Sequence, residues 1–125
     1  MPGWLARISA RVRGQSAERE ALRLLQKAGL SLLARNYAAA GGEIDLIMRD
    51  GEMLVFVEVR FRGHAEFGSG AESVDRHKQL RIQKAARAWL SAHPRLARLP
   101  ARFDIVSAGP DEPVWHRHAF EGSAW

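Results

Sequence analysis

Residues 42–60, GEIDLIMRDGEMLVFVEVR, decide the fold. Two runs of apolar and β-branched residues, Glu43 to Met48 and Met53 to Phe61, flank Arg49-Asp50-Gly51-Glu52. Asp-Gly between two such runs is a strong hairpin signal, because glycine takes the left-handed backbone of a tight turn without a steric penalty. The segment Leu54-Val55-Phe56-Val57 is apolar at every position, not every second one. A strand of that kind is buried on both faces and belongs in the middle of its sheet.

Working outward, Ser16 to Ala28 reads as a helix. Ser16 can cap it, Glu18 and Glu20 lie in its first turn, and Gly29 can end it. Ala21, Leu22, Leu25 and Ala28 recur at helical spacing as its buried stripe, and Glu18 falls on the edge of that stripe. Leu30 to Tyr37 is a first strand, and Ala38 to Gly42 a loose connection into the hairpin. Gly63 to Gly70 is a flexible loop, after which Ser73 caps a long helix reaching about Ala92 and stopped by Pro94. Arg102 to Ser107 and Val114 to Phe120 complete the strands. The order α-β-β-β-α-β-β implies an α/β domain with a mixed sheet flanked by helices. Residues 1–13 read as a basic N-terminal arm, either weakly amphipathic or disordered, and 14–125 as a single domain.

The hairpin carries an acidic constellation. Alternation puts Glu43 with Asp45, and Phe56 with Glu58 and Arg60. If Asp50-Gly51 is the two-residue loop, Arg49 faces Glu52, Asp45 faces Phe56 and Glu43 faces Glu58. Asp45 is then diagonal to Glu58 and within side-chain reach. Three carboxylates on one face of an apolar hairpin repel one another and each loses hydration. A divalent cation relieves both effects, and Mg²⁺, or Mn²⁺ in its place, prefers such hard oxygen ligands. An Asp followed across a hairpin by Glu-x-basic residue, here Asp45 and Glu58-Val59-Arg60, is the spacing of metal-dependent nucleases.

With these residues in place, the chain resembles the YraN-like family, small bacterial proteins with a predicted endonuclease fold that are similar to archaeal Holliday junction resolvases. The resemblance runs through Gly14 and Ala17-Glu18, Arg35-Asn36-Tyr37, the hairpin, Lys78, Ala85-Ala86, Arg102-Phe103-Asp104, Trp115 and Ala119-Phe120. It implies a restriction-endonuclease-like, three-layer core. By that analogy Asp45 and Glu58 are metal ligands, Arg60 is the basic catalytic partner and Glu18 an auxiliary acid; Glu43, on the same hairpin face, is expected as a further acid at or behind the metal. Position 60 is Arg where such nucleases usually carry Lys. A guanidinium can grip a phosphate oxygen but does not act as a general base. Ala38 stands where a basic residue is expected after Asn36-Tyr37.

Charge supplies the partner. The chain carries a net charge of +5. From Arg76 to Arg102 there are eight Lys or Arg and no acid, while 41–58 holds five acids against Arg49 alone. A basic flank beside an acidic centre suits a polyanion, with Arg76, Lys78, Arg81, Lys84 and Arg87 expected to position a nucleic-acid backbone. Lys78 falls beside the apolar stripe of Val74, Ile82, Ala85, Ala86 and Trp89; it could reach the site, but snorkelling to solvent is the expectation. His116-x-His118 reads as a surface pair on a terminal strand. The resulting expectation is a Mg²⁺-dependent endonuclease on structured or branched DNA, of low sequence specificity. The competing reading is a non-catalytic nucleic-acid-binding module on the same fold. Symmetric junction cutting would require a homodimer. With no cysteine and no apolar run long enough to span a bilayer, disulfides and membrane insertion are not expected, and the cytoplasm is the expected compartment.

Overall fold

The structure, a computed structural model, describes residues 3–61 and 74–122. The expected loop Gly63 to Gly70 and the expected cap Ser73 lie outside the described residues. The element order is α1 (Gly3–Lys27), β1 (Ser31–Ala39), β2 (Gly42–Asp50), β3 (Met53–Phe61), α2 (Arg76–Ala92), a short 3-10 turn (Leu96–Arg98), β4 (Ala101–Ala108) and β5 (Val114–Phe120). The five strands form one sheet in the order β1-β2-β3-β4-β5. β3 and β4 run parallel and every other pair is antiparallel. Helix α1 packs on β3 and β4, and α2 packs on β1 and β2. The domain is therefore α/β, three layers with a mixed sheet between helices, an order consistent with the restriction-endonuclease-like arrangement. Among the described residues no helix is long and apolar enough to cross a membrane.

β3 is central, as its sequence demands. Leu54 and Phe56 enter the core under α2 with Ile82, Ala85, Ala86, Trp89 and Phe103, and Val55 and Val57 enter the core under α1 with Ala21, Leu25, Leu46, Met48 and Val106. Phe56 stacks on Phe103 at 5.6 Å and meets Trp89 edge-on at 6.1 Å. Fully burying such a ring is worth about 1.5–3 kcal/mol.

Several boundaries differ from expectation. Helix α1 begins at Gly3, not at Ser16, so Ser16 is an exposed interior residue and not its cap. Ala, Leu, Arg and Ile dominate 3–13 and no proline interrupts, and one internal glycine, Gly14, costs only about 1 kcal/mol. The exit is as read: Gly29 has φ 101°, its N–H bonds the Gln26 carbonyl at 3.0 Å, and the Leu30 N–H bonds the Leu25 carbonyl at 3.0 Å. This is a Schellman closure, and Leu25 and Leu30 share one core cluster, as that motif requires. Helix α2 is capped by Asp75, whose carboxylate accepts from the Lys78 N–H at 2.8 Å. The connection from β1 to β2 is not loose: Ala39 pairs with Gly42 across a two-residue turn, Ala40-Gly41, both with positive φ. β5 carries two extra residues opposite Asp104, since Phe103 pairs with Phe120 but Ile105 with His116. The buried Asp104 carboxylate holds that bulge by accepting from the His118 N–H at 3.1 Å and the Trp115 indole at 2.8 Å. His116 and His118 therefore do not alternate simply along a terminal strand.

Two glycines separate conformational from steric demands. At Gly29 nothing lies where a Cβ would be added, so Gly29→Ala should cost about 1–2 kcal/mol in urea unfolding, the left-handed backbone penalty alone. At Gly42 a Cβ would run into the Arg81 carbonyl of α2. Gly42→Ala should cost more than Gly29→Ala, because two backbones must separate; equal costs would contradict the close approach of β2 and α2.

Candidate active site

The site forms where β2 and β3 part. Their pairing runs from Asp50↔Met53 to Leu46↔Val57, so the loop is Gly51-Glu52 and not Asp50-Gly51. Gly51, with φ 59°, takes the first turn position, where a left-handed backbone is wanted. The register is thus two residues from the expected one. A shift of two preserves which face each side chain takes. Carried one pair further, it sets Asp45 directly opposite Glu58 instead of diagonal to it. Regular pairing stops there, and the Asp45 carboxylate takes the Val59 N–H at 2.8 Å.

Alternation along β2 also breaks at this point. Leu46 and Met48 enter the α1-side core, whereas Ile44 joins Ile47 on the α2 side. Asp45 sits between the two settings and opens to both faces of the sheet. On the α1 side it lines a cleft of about 770 Å³ with Gln15, Glu18, Arg19, Arg35, Asn36 and Glu43. On the α2 side it lines a crevice of about 120 Å³ with Glu43, Glu58, Lys78 and Arg81. Glu43 lies exposed at the mouth of both.

Glu58 is buried, 7% exposed, and hydrogen-bonded to Asp45. Two carboxyls can share such a bond only if one carries a proton. Burial first, and then the charge of Glu58, push the Asp45 carboxyl up to about 7, with Glu18 adding to the rise and the Val59 N–H opposing it. Among the described residues two cations face Glu58: the Lys78 ammonium at 2.7 Å and the Arg60 guanidinium at 4.0 Å. Lys78 does not snorkel away to solvent; it reaches across the crevice into the site. Glu18, from α1, is held at the rim of the larger cleft by Arg35 at 3.4 Å and the Asn36 amide at 3.1 Å.

The structure therefore brings together Glu18, Glu43, Asp45, Glu58 and Arg60, and adds Lys78 and Arg81 from α2. It does not bring Arg76, Lys84 and Arg87 to the clefts; all three are exposed and line neither one. Arg19, Arg35 and Asn36 are the site residues that sequence reasoning left without a role. The only signal for them was adjacency, Arg19 to Glu18 and Arg35-Asn36 to the start of the hairpin.

The donor chemistry suits a divalent cation. Two carboxyl groups forced together in a poorly hydrated spot, with a proton held on Asp45 and an ammonium on Glu58, are a hard-oxygen pair. Among the described residues no three His, Cys, Asp or Glu side chains are gathered as a cage. The residues that could hold such an ion are the pair Asp45 and Glu58, which would leave further positions to water, as Mg²⁺ prefers.

The raised acid has a measurable consequence. In the folded protein Asp45 holds its proton up to about 7, against 3.8 for an ordinary aspartate, so the folded state binds more protons in that interval. Stability then falls as pH rises from about 4 to about 7, by something on the order of a few kcal/mol, and levels off above. Asp45→Asn should remove that slope in metal-free protein, raising Tm near pH 8 and leaving it little changed near pH 4. A variant with the wild-type slope would show that burial, Glu58 and Glu18 do not burden Asp45 as described.

The profile of "Uncharacterised protein family UPF0102" matches residues 17–108 of this chain. A UPF0102 protein of Xanthomonas campestris pv. campestris is 53% identical over 110 residues, covering 86% of this chain and 90% of the relative. One from Halorhodospira halophila is 49% identical over 114 residues, covering 91% of each. Another, from Stutzerimonas stutzeri, is 48% identical over 112 residues, covering 86% of this chain and 93% of its own length. The matched span contains Glu18, the whole hairpin, Lys78 and Asp104, and the chain belongs to the UPF0102, or YraN-like, family.

Proposed function

We propose that this protein is a divalent-metal-dependent endonuclease, hydrolysing phosphodiester bonds in DNA with Mg²⁺ or Mn²⁺ and with little sequence preference. The observation that supports the reading is the Asp45–Glu58 carboxyl pair, with Asp45 lining the cleft that Arg19 and Arg35 also line and both acids lining the crevice beside Lys78 and Arg81. Hydrolysis adds water across one bond: a water oxygen joins phosphorus, the P–O bond to the sugar breaks, and a water proton ends on the departing oxygen. A bound divalent ion would supply a more acidic water and a polarised phosphate. The chain's own residues would do the rest. Asp45 and Glu58 hold the ion, Arg60 offers a guanidinium to a phosphate oxygen, and Glu18 and Glu43 orient water at the two mouths of the site. The outer face of α2, with Arg76, Lys84 and Arg87, offers backbone contacts that read no base. Branched or flapped DNA is the favoured substrate, and symmetric cutting of a junction would take two copies of the chain. The same reading puts the protein in the cytoplasm with the DNA it would cut.

One observation favours a second reading, a nucleic-acid-binding module without catalysis. Glu58 is closed by the Lys78 ion pair, so a ligand ion has to displace a bonded ammonium. Labelled junction, flap, duplex and single-stranded DNA, incubated with Mg²⁺, Mn²⁺ or EDTA, separate the two. Metal-dependent cutting is expected, and Asp45→Asn and Glu58→Gln should each lower it by about 100-fold or more, near 3 kcal/mol of barrier. Binding by those variants should be retained or strengthened, since each removes negative charge facing the phosphate. Affinity should fall steeply with salt, and Arg19→Glu with Arg35→Glu should flatten that dependence. Salt-dependent binding without cutting of any substrate would select the binding-module reading.

A further inference from the structure

We propose that Lys78 is a catalytic residue of the site, its ammonium turning from Glu58 to a non-bridging oxygen of the scissile phosphate once a divalent ion occupies the carboxylate pair. The inference rests on the endonuclease reading above and adds a group from outside the hairpin. Of the two cations that face Glu58, Lys78 is the nearer, 2.7 Å against 4.0 Å for Arg60. It is also built into place. The backbone N–H of Lys78 is the group that the Asp75 cap receives, so the first turn of α2 is fixed at this residue. One turn on, the Arg81 carbonyl lies so close to Gly42 that no side chain fits between α2 and the start of β2. Ile82, next to Lys78 on the same helix face, is in the core. The helix can neither slide nor lift without breaking one of these contacts, and the four-carbon stem of Lys78 is left as the moving part.

Charge gives that movement a direction. Without metal, the Lys78 ammonium pairs with Glu58 at 2.7 Å. A divalent ion held by Asp45 and Glu58 would take the place of that ammonium, and like charge would then repel it from the pair. Lys78 is 30% exposed and lines the crevice that Asp45 and Glu58 also line, so the free volume beside it is that of the site itself. A phosphate of the bound DNA would be the nearest negative group for it to meet. No proton leaves Lys78 in this step; it stabilises charge that grows on the phosphate oxygens as water adds.

The test uses the full chain with Mn²⁺ and a junction or flap that wild type cuts. Lys78→Met should lose about 100-fold or more in single-turnover cutting, as expected for removing one such donor. DNA affinity should change little. Mn²⁺ affinity, read by electron paramagnetic resonance, should be equal or tighter, because a competing cation has gone. Lys78→Arg, which restores a cation, should recover part of the lost rate, and Lys78→Gln serves as a second variant if Lys78→Met unfolds early. Lys78 variants that cut like wild type while Asp45→Asn does not cut would overturn the proposal and leave the endonuclease reading standing. A Lys78→Met protein with weakened Mn²⁺ binding would also overturn it, reducing Lys78 to a prop for Glu58. A wild type that binds Mn²⁺ and cuts no DNA would defeat the endonuclease reading, and the proposal with it.

Discussion

Two carboxyl groups in contact, Asp45 on β2 and Glu58 on β3, are the constraint around which this structure is arranged. In water they would stay apart. Here the hairpin is anchored by Leu46, Met48, Val55 and Val57 on one face and by Ile47, Leu54 and Phe56 on the other. That apolar anchorage, worth about 1.5–3 kcal/mol per large side chain, outweighs the repulsion and desolvation at its open end. The conflict is then contained locally by three devices. The Val59 N–H bonds Asp45, Lys78 bonds Glu58, and a proton is retained on Asp45 up to about 7. On the proposed reading, a divalent cation would take the place of that proton and the Lys78 ammonium.

The rest of the fold serves the position of that pair. The mixed order puts β3 between an antiparallel and a parallel neighbour, and the acid pair is approached from both sides of the sheet, at Asp45 from α1 and at Glu58 from α2. Helix α1 brings Glu18 and Arg19 to the larger cleft, and α2 brings Lys78 and Arg81 to the smaller crevice. Gly42 is where β2 and α2 touch backbone to backbone, one residue before Glu43. On the neighbouring strand β4, where it pairs with Val57, the buried acid Asp104 follows opposite logic. Arg102, Trp115 and the His118 N–H all donate to it, so it is fully satisfied and makes no demand for a further ligand. Among the described residues the two buried acids thus differ: Asp104 is saturated by donors, whereas Glu58 faces another acid.

Much of this was legible in the sequence because local rules and the final fold agree. β3 reads as central from its apolar run, and β3 and β5 lie where their residues indicate. The acid pair was legible despite a register wrong by two, since strand parity survives an even shift. The turn itself was misread because Gly51 fits the first turn position as well as the second, and only the register tells which. The start of α1 was hidden by a good capping residue, Ser16, set in a run that has no reason to stop being helical. Lys78 was illegible for a different reason. Whether a lysine beside an apolar stripe snorkels or turns inward depends on what stands across the gap, and Glu58 is there only once the sheet has formed. The same holds for Arg35 and Asn36, whose partner Glu18 lies on another element.

The central claim is that Asp45 and Glu58 exchange a proton for a divalent cation, and calorimetric titration of Mn²⁺ into the protein in buffers of different ionisation enthalpy measures that exchange. Wild type should bind Mn²⁺ with release of most of a proton near pH 6, where Asp45 is still protonated, and almost none near pH 8. Asp45→Asn should bind more weakly and release no proton at either pH. Mn²⁺ binding that is the same in Asp45→Asn as in wild type, or no binding at either pH, would contradict the account.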